Sequence, residues 1–218
     1  FNSSQGKAYI FYNDSSFPTS ATNADVAITG ETTNNSFSIS LAAGDFNADN
    51  KTDLAVGAST FNSSQGKAYI FYNDEDGMNG EADQADKAIE GEGSGSYFGS
   101  ALTVGDFNYD SRADLVVSAP GLNGNIGRVY IFYNDGTMVS RADMADTKIN
   151  GALGGDQMGA ALNLGDFNGD KRMELVIGEK DLINAGGFYI YQRDAAYTVP
   201  DRTETRGDVE LNGSIWFR

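Results

Sequence analysis

The chain has 218 residues, 40% of them apolar, with 27 Gly, 3 Pro and neither Cys nor His, enough apolar side chain to bury a real core in one or two domains. Its 15 basic and 31 acidic residues leave a net charge of −16, which repels phosphates and predicts no nucleic-acid partner; no run nears the about eighteen apolar residues of a membrane helix, so no membrane insertion is expected. Without Cys and His there is no thiol nucleophile, disulfide, Ser/His/Asp triad or ordinary zinc or copper centre, which leaves carboxylates, Tyr, Lys and bound hard metals for any chemistry.

Read from the N-terminus, the sequence repeats itself. FNSSQGKAYIFYND at 1–14 predicts a strand over AYIFY, and ADVAITG, ending at Gly30, predicts a second kind. SLAAG precedes an acidic loop and the strand LAVG, both inside GDFNADNKTDLAVG from Gly44. The segment 61–74 then copies 1–14 letter for letter. The same succession returns as ADKAIEG, ALTVG, GDFNYDSRADLVVS and GRVYIFYND, and again as ADTKING, ALNLG, GDFNGDKRMELVIG and GGFYIYQRD. Gly6, Gly66, Gly127 and Gly186 mark the step at 60, 61 and 59 residues. Helix signals at 80–88 and 140–148 are weak and read as linkers containing a turn of helix at most.

Short β-branched and aromatic runs bounded by Gly, Asn and Asp are strand signals. Four such strands recurring over one period predict an all-β chain of propeller blades. The sequence places complete units at about 25–74, 86–135 and 146–193. It assigns 1–14 as the last strand of a preceding blade and 207–218, GDVELNGSIWFR, as the start of a following one.

The acidic loops carry the chemistry. Oxygen side chains stand at positions 1, 3, 5 and 9, with a backbone carbonyl available at position 7. These are Asp45, Asn47, Asp49, Lys51 (carbonyl) and Asp53; then Asp106, Asn108, Asp110, Arg112 (carbonyl) and Asp114; then Asp166, Asn168, Asp170, Arg172 (carbonyl) and Glu174. Such a set suits a hard cation with six to eight oxygen ligands, and three carboxylates per loop repel one another without one. An EF-hand would need Glu at position 12, where Val56, Val117 and Ile177 stand. A plain acidic turn explains one such loop better than three in register, so about three Ca²⁺ per chain are expected.

With these loops in place, the chain resembles the FG-GAP repeat family, the calcium-binding blades of integrin α-subunits and their bacterial relatives. Phe98-Gly99 precedes the second loop, Ser118-Ala119-Pro120 follows it, and Gly57-Ala58 follows the first. Phe37-Ser38, Met158-Gly159 and Gly178-Glu179 depart from the pattern, and the family's glycine at loop position 6 is Asn50, Ser111 or Lys171. The resemblance implies a closed propeller, commonly of seven blades. It also implies a secreted or cell-surface module for adhesion or recognition, binding a protein or glycan through one rim. Candidate rim segments are 57–66, 118–127 and 178–186. Tyr97 and Phe98 are candidates to stack on a sugar or to fill packing between blades.

Seven blades of this period need about twice the chain. Either the sequence is part of a larger propeller, or it is a structural subunit that joins copies of itself through open blade edges, held by calcium and strand exchange. A polysaccharide lyase or glycosidase would need a catalytic carboxylate pair; none is singled out, and no enzyme activity is expected. Arg206-Gly207-Asp208 and the Asn-x-Ser/Thr positions Asn2, Asn13, Asn34, Asn50, Asn62 and Asn212 complete the motifs, and neither set carries a function by itself.

Overall fold

Runs of β-branched and aromatic residues interrupted every few positions by Gly, Asn and Asp can pair only as short strands joined by tight turns. The computed structural model describes residues 5–13, 18–180, 187–191 and 214–215. It is all-β and antiparallel. Strands β1 (Lys7–Ile10) and β2 (Val26–Thr29) form a pair. Three four-stranded meanders follow. The first joins β3 (Phe37–Gly44), β4 (Asp53–Ala58), β5 (Lys67–Phe71) and β6 (Lys87–Glu90). The second joins β7 (Leu102–Gly105), β8 (Asp114–Ala119), β9 (Arg128–Phe132) and β10 (Thr147–Asn150). The third joins β11 (Ala161–Gly165), β12 (Glu174–Glu179), β13 (Gly187–Tyr191) and β14 (Ser214–Ile215).

These sheets are offset by one strand from the units read off the sequence. The AITG-type strand opens each sequence unit, yet it closes the preceding sheet: β2 pairs with β1, β6 with β5 and β10 with β9. The chain makes its crossing at the glycine that ends this strand. Gly91 donates its N–H to the Gly66 carbonyl at 3.0 Å, and a Cβ there would lie 2.1 Å from the Gln65 oxygen. Only a residue without a side chain fits that passage, so the sheet ends there and the next begins beyond it. By the same logic β14, within 207–218, is the outermost strand of the third sheet and not the first of a fourth. The weak helix signals prove to be single 3₁₀ turns at Ala82–Gln84 and Ala142–Met144.

The innermost strands β3, β7 and β11 lie side by side, so the sheets stand next to one another along this line. Their cores interlock. Phe46, from the loop after β3, packs among Leu115, Val117 and Phe132 of the next sheet. Phe107 packs likewise among Leu175, Ile177 and Tyr189 of the third. Burying a side chain of this size is worth roughly 1.5–3 kcal/mol, so each seam is an apolar core shared by two sheets. Among the described residues no helix is long and apolar enough to cross a membrane.

Candidate functional site

Each acidic loop links the first strand of a sheet to the second, so two hydrogen-bonded strands fix both of its ends. In the first loop Asp45 accepts from the backbone N–H groups of Asp49 (3.2 Å) and Asn50 (2.8 Å). Asn47 Oδ1 accepts from Asp49 N–H (3.0 Å), and Asp49 Oδ1 accepts from Lys51 N–H (2.8 Å). The second loop repeats the set with Asp106, Asn108 and Asp110 (2.8–3.1 Å). The third does so with Asp166, Asn168 and Asp170 (2.8–3.1 Å). Asp and Asn hold the turn by capping their own backbone two to five residues on, which is why these residue types recur at these positions.

The turn also demands left-handed backbone at loop positions 4 and 6. Ala48 and Asn50 have φ of 62° and 64°, Tyr109 and Ser111 have 63° and 70°, and Gly169 and Lys171 have 81° and 68°. A non-glycine residue there costs roughly 1–2 kcal/mol. Lys171, the least suited residue at position 6, nevertheless adopts the same turn as Asn50. The strain at position 4 had no signal in the sequence, since Ala and Tyr do not favour this conformation.

Position 9 is different in kind. Asp53 and Asp114 are fully buried at the start of β4 and β8. Asp53 accepts from Phe46 N–H and Asn73 N–H, both at 2.8 Å. Asp114 accepts from Phe107 N–H and Asn134 N–H, also at 2.8 Å. Glu174 reaches Phe167 N–H at 2.7 Å. Burial pushes the Asp53 and Asp114 carboxyls above their ordinary value; these N–H bonds oppose it, and the Asp49 and Asp110 charges add to it. Sequence reading missed Asn73 and Asn134, although the Asn of each FYND string was the signal. Asn134 also donates its side-chain amide to the Phe46 carbonyl (2.6 Å), tying one loop to the next sheet.

Among the described residues no group of three or more carboxylates is gathered at metal-holding distance; each loop carboxylate faces backbone N–H groups. The donor set still fits a hard cation. Every candidate ligand is an oxygen, and an ionised carboxylate offers about four lone-pair sites, of which these hydrogen bonds use only part.

The remaining sequence candidates separate cleanly. Phe98 is wholly buried, its ring 5.3 Å from Tyr130 and 6.3 Å from Phe132, both edge-on, so it packs between sheets and is unavailable to a sugar. Tyr97 is 40% exposed, with φ of 55°, and its ring lies over Gly121. In the rim segments, left-handed turns run through Asn62–Ser64 and Asn123–Asn125. Asn34, Asn50 and Asn62 are exposed. Arg206-Gly207-Asp208, Asn2, Asn212 and 181–186 lie outside the described residues.

A second recurrent polar cluster joins neighbouring sheets. Glu31, in the link between the first two sheets, accepts from Lys67 Nζ and from the Tyr69 hydroxyl, both at 2.9 Å. In the next link Glu92 accepts from Arg128 at 2.7 Å. The third unit has Ala152 and Gly187 at the matching positions, and Tyr189 donates instead to Glu179 of its own sheet at 2.7 Å.

The FG-GAP repeat family matches residues 37–71 and 98–132, each the first three strands of one sheet with the loop between. Integrin alpha-PS5 of Drosophila melanogaster is 31% identical over 145 residues, 63% of this chain and 14% of that protein. Integrin alpha-4 of Xenopus laevis is 32% identical over 164 residues, 70% of this chain and 14% of that protein. Phosphatidylinositol-glycan-specific phospholipase D of Bos taurus is 35% identical over 107 residues, 43% of this chain and 13% of that protein. The chain thus spans only a small part of the length of the relatives it matches.

Proposed function

We infer, for a chain that belongs to the FG-GAP repeat family, a role as a calcium-stabilised segment of an extracellular β-propeller that recognises a protein or glycan through its rim loops. The observation that carries this reading is the threefold recurrence of one loop, with the same backbone turn, the same Asp and Asn turn bonds at positions 1, 3 and 5, and a buried carboxylate at position 9. In the first loop Asp45, Asn47, Asp49, the Lys51 carbonyl and Asp53 would hold the ion, with their counterparts in the other two. The ion would supply no reaction. It would neutralise three repelling carboxylates and pin the first two strands of each sheet at the loop end. The loop carboxylates are committed to holding backbone, which argues for recognition over catalysis.

The test is native mass spectrometry and thermal unfolding with calcium and with chelator. We expect about three Ca²⁺ per chain, a melting temperature that rises with calcium, and the loss of one ion in Asp114→Asn. Modules of this kind bind at about 10⁻⁴–10⁻³ M, so absence of binding at millimolar calcium sinks the reading. A second reading, self-assembly, draws on one observation. Among the described residues β1 pairs on one side only, and Ile39 and Leu41 of β3 are exposed beside it. A multimer that forms with calcium and dissociates with chelator would favour it.

A further inference from the structure

Asparagine followed by glycine is a chemically weak point in any chain. The glycine amide nitrogen attacks the asparagine Cγ and forms an N–Cγ bond. The Cγ–Nδ2 bond breaks, and ammonia leaves with the proton from that nitrogen. Water then opens the cyclic imide at either carbonyl, giving aspartate or isoaspartate. Glycine speeds the attack because it has no Cβ to obstruct it. A fold suppresses the reaction when it holds either participant: the side-chain amide that must turn, or the N–H that must lose its proton.

This sequence contains five such pairs, at Asn79, Asn123, Asn150, Asn168 and Asn212, and the last lies outside the described residues. The fold treats the other four unequally. Asn79 donates its amide to the Gln84 carbonyl at 3.1 Å. Asn150 sits in β10 and accepts from Arg128 Nε at 2.6 Å, while Gly151 N–H is bound to the Gly127 carbonyl at 3.0 Å. Asn168 is held most firmly. Its Nδ2 reaches Asp170 and Glu174 at 3.2 Å, its Oδ1 accepts from Asp170 N–H, and Gly169 N–H is bound to Asp166 at 2.6 Å.

Asn123-Gly124 has none of these restraints. Both residues are exposed, at the tip of the left-handed turn between β8 and β9. Among the described residues, neither the Asn123 side chain nor the Gly124 N–H has a hydrogen-bond partner. We propose that Asn123-Gly124 is a site of spontaneous deamidation, the first of the four to convert in the folded protein. The product adds a negative charge to a candidate recognition segment. As isoaspartate it also adds a backbone methylene two residues before Asn125, whose carbonyl accepts from Gly155 N–H (3.0 Å) and Gln157 N–H (2.9 Å) across the seam to the third sheet.

Peptide mapping by mass spectrometry after timed incubation, folded and in denaturant, tests the ranking. In the folded chain Asn123 should convert first, faster in mildly alkaline than in mildly acidic buffer, with isoaspartate detected by an isoaspartyl methyltransferase. In denaturant Asn79, Asn123, Asn150 and Asn168 should convert at similar rates. Gly124→Ala should slow conversion at Asn123 alone; a Cβ there would meet nothing within 4 Å, and its cost is the left-handed backbone at φ 72°. The isoaspartyl form should exchange the Gly155 and Gln157 amide hydrogens faster than the unmodified form. Conversion of Asn79, Asn150 or Asn168 as fast as Asn123 in the folded protein overturns the proposal, as does an Asn123 that stays intact while the denatured chain converts.

Discussion

Residues 5–13 and 65–73 have the same sequence, QGKAYIFYN, and different surroundings. In the second copy Lys67–Phe71 lies between β4 and β6; Tyr69 is 0% exposed, with Phe37 edge-on at 5.6 Å. In the first, Lys7–Ile10 pairs only with β2 among the described residues, and Tyr9 is 39% exposed. Ala8 and Ala68 are buried in both. Alternation along the strand thus decides which side chains can be buried, and the neighbouring sheet decides whether they are. Burial in a repeat protein belongs to the interface between units as much as to the unit.

The comparison is broken most directly by truncating the two tyrosines. Tyr69→Ala should cost about 3–5 kcal/mol, as aromatic core truncations do, and Tyr9→Ala less than about 1 kcal/mol. Denaturant unfolding of the two variants checks it, and equal losses would mean that sequence outweighs neighbours. The loop phenylalanines sharpen it. Phe46 is 2% exposed in the core of the next sheet, whereas Phe167, at the same loop position, is 54% exposed. Phe46→Ala should approach 3 kcal/mol or more and Phe167→Ala stay within about 0.5 kcal/mol, read as shifts in melting temperature.

The smallest effect lies in the clasp around the second copy. Burial pushes the Glu31 carboxyl up, but the hydrogen bonds from Lys67 and Tyr69 and the Lys67 charge outweigh it, leaving Glu31 below its ordinary value of 4.5. A carboxylate with a depressed folded value stabilises fully above 4.5 and loses that contribution as pH falls through the folded value. Glu31→Gln should therefore cost about 1 kcal/mol near neutrality, and the gap from the parent should close on acidification. Melting temperatures of both proteins across the acid range give the answer. A gap that persists at low pH would assign the loss to packing.

Strand positions and the three loops were legible in the sequence because their signals are local. AYIFY, LAVG and SLAAG are strand-like alone, and carboxylates at loop positions 1, 5 and 9 with an Asn at position 3 are visible without a fold. The phase of the sheets was not legible. A period of one strand set looks the same wherever counting begins, and only the obstruction at Gly91 and its counterparts says which neighbour the AITG-type strand joins. The second support of Asp53 was hidden for a similar reason, since Asn73 stands twenty residues downstream and meets it only once β5 pairs with β4.

The one-strand offset has a consequence for how such a chain can grow. Every sheet is finished by residues from the following repeat, so no repeat is self-contained and consecutive sheets are stitched like overlapping shingles. A duplication of one whole period adds one whole sheet wherever in the period its ends fall, because each new first strand meets an old partner of the right kind. Lengthening is therefore tolerant of where the copy starts and intolerant only of its length.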